Sequence, residues 1–204
     1  MSKPILIRTL FLIAFFNSVI VNSQSNISIK LLTLSYEFGV ENAEFYSQTI
    51  TNDGAFAIEP GLLFSYEAYA NKNTAIKLNQ AVFYNKVSSL STFTQLVFKF
   101  RVFTHYKQSL YIGIGPNFQL RKSRNSIVGY IDEGNFTDLG DYQYNVSWFS
   151  AEIDYNIYLN KKTDLSISLN HISPQSIGLA VGVKYWISKS QKKKRGCVTC
   201  PGSH

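Results

Sequence analysis

The chain has 204 residues, a formal net charge of +7, and 15% aromatic side chains including 13 tyrosines. Lys3 and Arg8 at the start, with Lys189, Lys192, Lys193, Lys194 and Arg195 at the end, account for that excess, so the body is neutral. A neutral body lacks the clustered basic face that phosphate backbones need, which excludes a nucleic-acid partner. The only two cysteines, Cys197 and Cys200, lie near the C-terminus, which excludes a disulfide framework.

Residues 1–23 read as a cleavable export signal. Lys3 and Arg8 form its positive start, Leu10 to Phe16 and Val19 to Val21 its apolar part, and Val21-Asn22-Ser23 a small-residue cleavage site before Gln24. Asn17 and Ser18 interrupt the apolar run, which falls short of the roughly 20 residues of a spanning helix. No cysteine follows the cleavage point, so no lipid anchor is expected there.

From residue 24 onward the chain alternates. Leu110, Ile112, Ile114, Phe118 and Leu120 share one parity, and Gly113, Gly115, Asn117, Gln119 and Arg121 the other. Alternation of period two is a strand whose faces meet different surroundings. The same reading gives eight strands, at 27–40, 56–69, 74–85, 92–105, 110–122, 146–159, 165–173 and 176–188. Short turns at 70–73, 106–109 and 160–164 all follow even-numbered strands. The two long connections, 41–55 and 123–145, follow odd-numbered ones. Short turns at one end and long loops at the other are the asymmetry of an outer-membrane barrel. The expected fold is therefore all-β, an eight-stranded antiparallel transmembrane β-barrel over 24–188, followed by a basic, Cys-containing periplasmic tail at 189–204.

The polar parity carries Glu37, Glu59, Glu67, Glu152 and Asp154 with Lys77, Lys99, Arg101, Arg121 and Lys184. An eight-stranded barrel is only wide enough for side chains. Charges enclosed there must pair, so the set predicts a plugged, ion-paired interior. The competing architecture is a soluble lipocalin-like barrel, which would point Ile112, Ile153 and Val181 into a ligand cavity.

In signal, strands and loops the mature chain resembles the small eight-stranded outer-membrane barrels of Gram-negative bacteria. The resemblance implies a home in outer-membrane lipid beside lipopolysaccharide. The segment Leu165-Ser-Ile-Ser-Leu-Asn-His171-Ile-Ser173 gives a second, partial resemblance. His171 and Ser173 share the lipid-facing parity near the rim, and an imidazole beside a serine is the start of a nucleophilic pair. The arrangement resembles the lipid A deacylase (acyloxyacyl hydrolase) family, whose lipid-facing motif is His-x-Ser-Asn. Gly113-Ile-Gly-Pro116 and Leu159-Asn-Lys-Lys162 are similar to its upstream layout. The resemblance implies Ser173 as nucleophile and His171 as base of an ester hydrolase. Pro174 stands where the family has Asn, and 177–187 contains no Glu or Asp to orient the imidazole.

Other candidates are weaker in chemistry. Cys197-Val-Thr-Cys200 lacks the strand–helix context of a redox motif and the further ligands of a zinc site, so no cofactor and no metal are expected. The 123–145 loop places Tyr130, Phe136, Tyr142 and Tyr144 among Asp132, Glu133, Asp138 and Asp141. Such a loop is a candidate surface for a protein or glycan partner, and its acids are not spaced as a calcium loop. His105 reads as structural. Three functions remain: a non-enzymatic barrel acting structurally or through its loops, a lipid A-modifying esterase, and a soluble binder.

Overall fold

A computed structural model of the protein describes residues 24–38, 49–51, 54–85, 89–125, 127, 134–172 and 176–187. The export signal, Ser173 and the tail with Cys197 and Cys200 lie outside the described residues. The strands are β1 (Gln24–Phe38), β2 (Thr49–Thr51), β3 (Gly54–Tyr69), β4 (Thr74–Asn85), β5 (Ser89–His105), β6 (Gln108–Lys122), β7 (Thr137–Leu139), β8 (Tyr142–Tyr158), β9 (Thr163–Ile172) and β10 (Ser176–Trp186). Eight of them, all but β2 and β7, form an antiparallel ring closed by pairing of β1 with both β10 and β3. Closure leaves no unpaired edge, which is what permits strands to cross hydrocarbon.

The eight ring strands are those read from alternation. The expected long loops differ: β2 pairs with β3 inside one, and β7 pairs with the start of β8 inside the other. Tyr142 and Tyr144 therefore belong to a strand that extends the wall, not to a loop.

The wall is apolar outward. Ile112 and Ile153 are 41% and 43% exposed, and the same face of the neighbouring strands shows Ile29, Leu31, Ile58, Phe64, Phe98 and Phe100. So continuous a belt is the surface of a barrel in lipid, since a soluble monomer rarely exposes an apolar patch of more than a few hundred Å². The soluble lipocalin-like alternative is thereby corrected: the residues that would line its cavity point away from the axis.

Alternation breaks at bulges, and these decide which residues turn inward. Thr33 is an extra residue in β1, between Leu32 paired with Ala180 and Leu34 paired with Leu179. Inward positions therefore run Asn26, Ser28, Lys30, Leu32 before the bulge and Ser35 after it. A second bulge lies in β8, where Gly115 pairs with Ser150 but Asn117 with Ser147, so Trp148 and Phe149 both face outward. Pro60 and Pro116, which lack a ladder N–H, fall at these register breaks.

Three short turns and the outer ends of β1 and β10 share one end of the barrel, termed here the turn end; the other is the loop end. Ile187 N–H donates to Ser25 O at 3.0 Å there. Two of the turns use the same device. Asn71 Oδ1 accepts from the N–H groups of Asn73 and Thr74 at 2.8 and 2.9 Å, and Asn160 Oδ1 from those of Lys162 and Thr163 at 2.9 Å each. The third is a two-residue turn with Tyr106 at φ 49°.

Glycine is needed where strands curve tightly past a lysine. A Cβ on Gly182, opposite Lys30 in the register, would sit 2.1 Å from Ile29 O and 2.4 Å from Lys30 Cα. On Gly178 it would meet only Leu32 Cδ2 at 3.8 Å and Ile172 Cδ1 at 3.9 Å. Gly182→Ala is therefore expected to cost about 1–3 kcal/mol or to abolish folding, whereas Gly178→Ala folds normally. Urea titration in vesicles, followed by heat-modifiable gel mobility, distinguishes the two.

Candidate functional site

Seven charged side chains from six strands meet inside the barrel: Lys30 of β1, Glu67 of β3, Lys77 of β4, Lys99 of β5, Glu152 and Asp154 of β8, and Lys184 of β10. Period two aims each of them inward, and the narrow bore brings them together. All seven are buried.

Asp154 is the hub. Its Oδ1 accepts from Lys30 Nζ at 2.9 Å and Ser166 Oγ at 2.6 Å, and its Oδ2 from Lys99 at 2.5 Å and Lys184 at 3.0 Å. Glu67 accepts from Lys99 at 2.5 Å, Lys184 at 3.1 Å, Asn26 Nδ2 at 3.0 Å and the Tyr69 hydroxyl at 2.9 Å. Glu152 takes Lys77 and, at 3.3 Å, Asn79 Nδ2. Four ammonium groups thus meet three carboxylates in this layer. The Tyr111 ring supplies further negative potential, with Lys99 Nζ 4.8 Å and Lys184 Nζ 5.9 Å from its centroid.

The charged layer is covered on both sides. Farther toward the loop end, on β1, β3, β4, β5 and β10, inward Leu32, Leu63, Ala81, Phe83, Phe93 and Ala180 form one apolar cluster with Ile172. Toward the turn end lie Tyr69, Ala75, Tyr111 and Trp186. Trp186 Nε1 donates to buried Asp164 at 2.8 Å, and Arg101 donates to the Tyr111 hydroxyl from Nε at 3.1 Å and Nη2 at 2.9 Å.

Of the ten charges assigned inward from sequence, Glu59, Glu67, Lys77, Lys99, Arg121, Glu152, Asp154 and Lys184 are buried, and Glu37 and Arg101 are half-buried. Lys30, Asp164 and, in the segment expected to be a loop, Arg124 are buried charges outside that set. The bulge at Thr33 hides the parity of Lys30, and Asp164 sits where a turn was expected. One signal was available: Ile27, Ile29 and Leu31 alternate cleanly about Lys30.

At the loop end Arg121 lies in a polar recess with Glu37, Asn85, Ser91 and Gln119. Its guanidinium carbon stands 3.4 Å from the Phe136 ring centroid, and its Nε donates to Gln143 Oε1 at 3.2 Å. Gln143 Nε2 donates to Asp138 Oδ1 at 2.9 Å, tying β7 down over the rim. Among the described residues no group of three or more His, Cys, Asp or Glu is placed to hold a metal ion.

His171 is on the outward face of β9, as its parity predicts. Its cross-strand neighbours are Ala151 and Ile177, and the Phe38 ring lies 6.5 Å away. Among the described residues its buried Nδ1 has no hydrogen-bond partner. Ser173, the other half of the candidate pair, lies outside the described residues.

No family model and no curated protein matches this chain. Solved structures do. It is similar to Ail, the attachment invasion locus protein of Yersinia pestis, in complex with the heparin analogue sucrose octasulfate, at 14% identity over 80% of this chain and 98% of that one, with a TM-score of 0.48. It is also similar to Neisserial surface protein A, at 11% identity over 79% and 96% of the two chains and a TM-score of 0.48. A third is the N-terminal β-barrel domain of Pseudomonas aeruginosa OprF, at 12% identity over 80% and 98% and a TM-score of 0.47. At these identities the likeness is one of fold and carries no residue or activity across.

The geometry of the charged layer sets a stability order. Asp154→Asn strips the hub from several buried ammonium groups and is expected to cost about 3–5 kcal/mol. Lys30→Met removes the lysine in excess and leaves Asp154 with Lys99, Lys184 and Ser166. Its cost is expected to be well below that of Asp154→Asn, and in the double variant it offsets part of the loss. Equilibrium urea unfolding of the four proteins in one lipid checks the order.

Proposed function

We propose that the protein is an integral outer-membrane barrel with a closed, non-conducting interior, whose biological contacts are made at the loop end. Residues 1–23 serve as its export signal and 189–204 as a basic periplasmic tail. The observation that carries the reading is the fully buried charged layer held between two apolar layers. An aqueous pore needs a continuous hydrated polar path, and this bore is instead interrupted on each side of the charged layer by Phe, Leu, Tyr or Trp side chains. With the interior filled, the parts free to meet a protein or glycan are the β7–β8 hairpin and the loops beside it. Leu139, Tyr142 and Trp148 stand exposed there, the last at 85%.

Planar-bilayer recording tests the closed interior. The wild-type protein is expected to give no unitary conductance, and steady channels from protein of verified heat-modifiable mobility would refute it.

The ester hydrolase is kept as a second reading because His171 projects from the lipid-facing wall near the loop end. Catalysis through it requires a group that orients the ring, and its cross-strand neighbours are Ala151 and Ile177. Lipid A from cells producing the protein is accordingly expected to keep its full set of acyl chains by mass spectrometry. Loss of one chain with wild type, but with neither His171→Ala nor Ser173→Ala, would establish the esterase instead.

A further inference from the structure

The two ends of the barrel differ in charge: among the described residues the turn end is unbalanced and positive, while the loop end mixes both signs. At the turn end Lys72, Lys107, Lys161 and Lys162 are all exposed, and every short turn contributes at least one of them. The carboxylate described at that end, Asp164, is buried and engaged with Trp186 Nε1. At the loop end the exposed charges among the described residues are Asp138, Asp141 and Lys122.

The lysines are presented by rigid geometry. Asn71-Lys72-Asn73-Thr74 and Asn160-Lys161-Lys162-Thr163 repeat one pattern and one set of bonds. In both, the Asn side chain accepts two backbone N–H groups, and the Thr carbonyl accepts N–H groups from the Asn and the residue before it. The third turn holds Tyr106 in the left-handed region at φ 49°, where a bulky residue is strained. Tyr106 is 75% exposed, and Lys107 Nζ lies 5.7 Å from its ring centroid.

The lysines also stand at a defined depth. Outward Phe103, Leu159 and Ile187 end the apolar wall at this end. Lys107 and Lys161 follow Phe103 and Leu159 by four and two residues, which places their ammonium groups just beyond the hydrocarbon, where headgroup phosphates lie.

We infer that the turn end is a binding surface for anionic phospholipid headgroups of the leaflet on that side, with Lys72, Lys107, Lys161 and Lys162 as the phosphate contacts. The ring selects charge and not acyl chain, because the lysines lie past the apolar wall. The basic residues Lys189, Lys192, Lys193, Lys194 and Arg195 follow β10 in sequence and join the barrel at this same end.

The test uses the full chain folded into vesicles of phosphatidylcholine with a minority of phosphatidylglycerol. Small lipid discs cut around the protein are analysed by mass spectrometry. A lysine near an anionic surface contributes about fivefold in preference, so an enrichment of phosphatidylglycerol of about that size over the bulk bilayer is expected, falling as salt is raised. The combined Lys72→Gln, Lys107→Gln, Lys161→Gln and Lys162→Gln variant, with its tail unchanged, is expected to lose it. The matching Arg variant is expected to keep it. The turns are held by Asn71 and Asn160, so both variants should fold, and heat-modifiable mobility confirms that they do. Enrichment that survives in the Gln variant, or is absent from wild type at low salt, overturns the inference. So does loss of binding to purified peptidoglycan in the Gln variant with lipid composition unchanged, which would assign the turns to an acidic polymer.

Discussion

Hydrocarbon offers no hydrogen bonds, and the rest of this structure follows from that. Backbone groups must be satisfied within the chain, so the eight long strands close on themselves. Outward side chains must be apolar, so the charges of the ring strands are turned into a bore only wide enough for side chains, save at the rim where Lys122 ends β6. Ions forced into such a space are costly unless each finds a partner. Asp154 and Glu67 provide those partners by accepting from lysines of three strands between them. The ionic layer is thus a consequence of the wall, and it ties together strands that are not neighbours in the sheet. Lys30 on β1 joined to Asp154 on β8 is one such tie.

The layer order along the bore reinforces this. The charged groups are buried, with apolar residues on the loop side and aromatic residues on the turn side. Within the layer Tyr69 and Asn26 donate to Glu67 and Ser166 donates to Asp154, while the Tyr111 ring lies against the ammonium group of Lys99. Gly182 and Gly113 leave room beside the stems of Lys30 and Lys99, where a Cβ would collide with the neighbouring strand. Pairing, packing and glycine placement all agree on a filled interior.

Strands of this kind are legible because the two faces meet such different surroundings. β4 spans Thr74–Asn85, the range that alternation alone defines, and the other ring strands differ from their sequence bounds only at the ends. Parity is less secure than existence, since one extra residue reverses it. At Thr33 this moved Lys30 out of sight, and in β8 it turned Trp148 and Phe149 outward together. β2 and β7 were missed because three residues are too few to show a period. For His171 the outward direction could be read from parity. Its surroundings depend on which strands lie beside β9, and that comes from tertiary pairing alone.

A filled interior and a generic apolar wall leave specificity to the two ends, and the ends are built differently. The loop end gains height from the β7–β8 hairpin, which Gln143 and Asp138 pin to the rim and which carries exposed Leu139 and Tyr142. The turn end is kept short by paired Asn turns and one strained tyrosine, and each of its turns carries an exposed lysine. Strain and repeated turn chemistry are costs that a structureless connection would not need to bear. Their presence at the end with the least chain suggests that position relative to the headgroups is what the turns specify. On the inferred headgroup contact, the rigid barrel between them is a spacer that would hold one end against its leaflet while the taller hairpin stands clear on the other side.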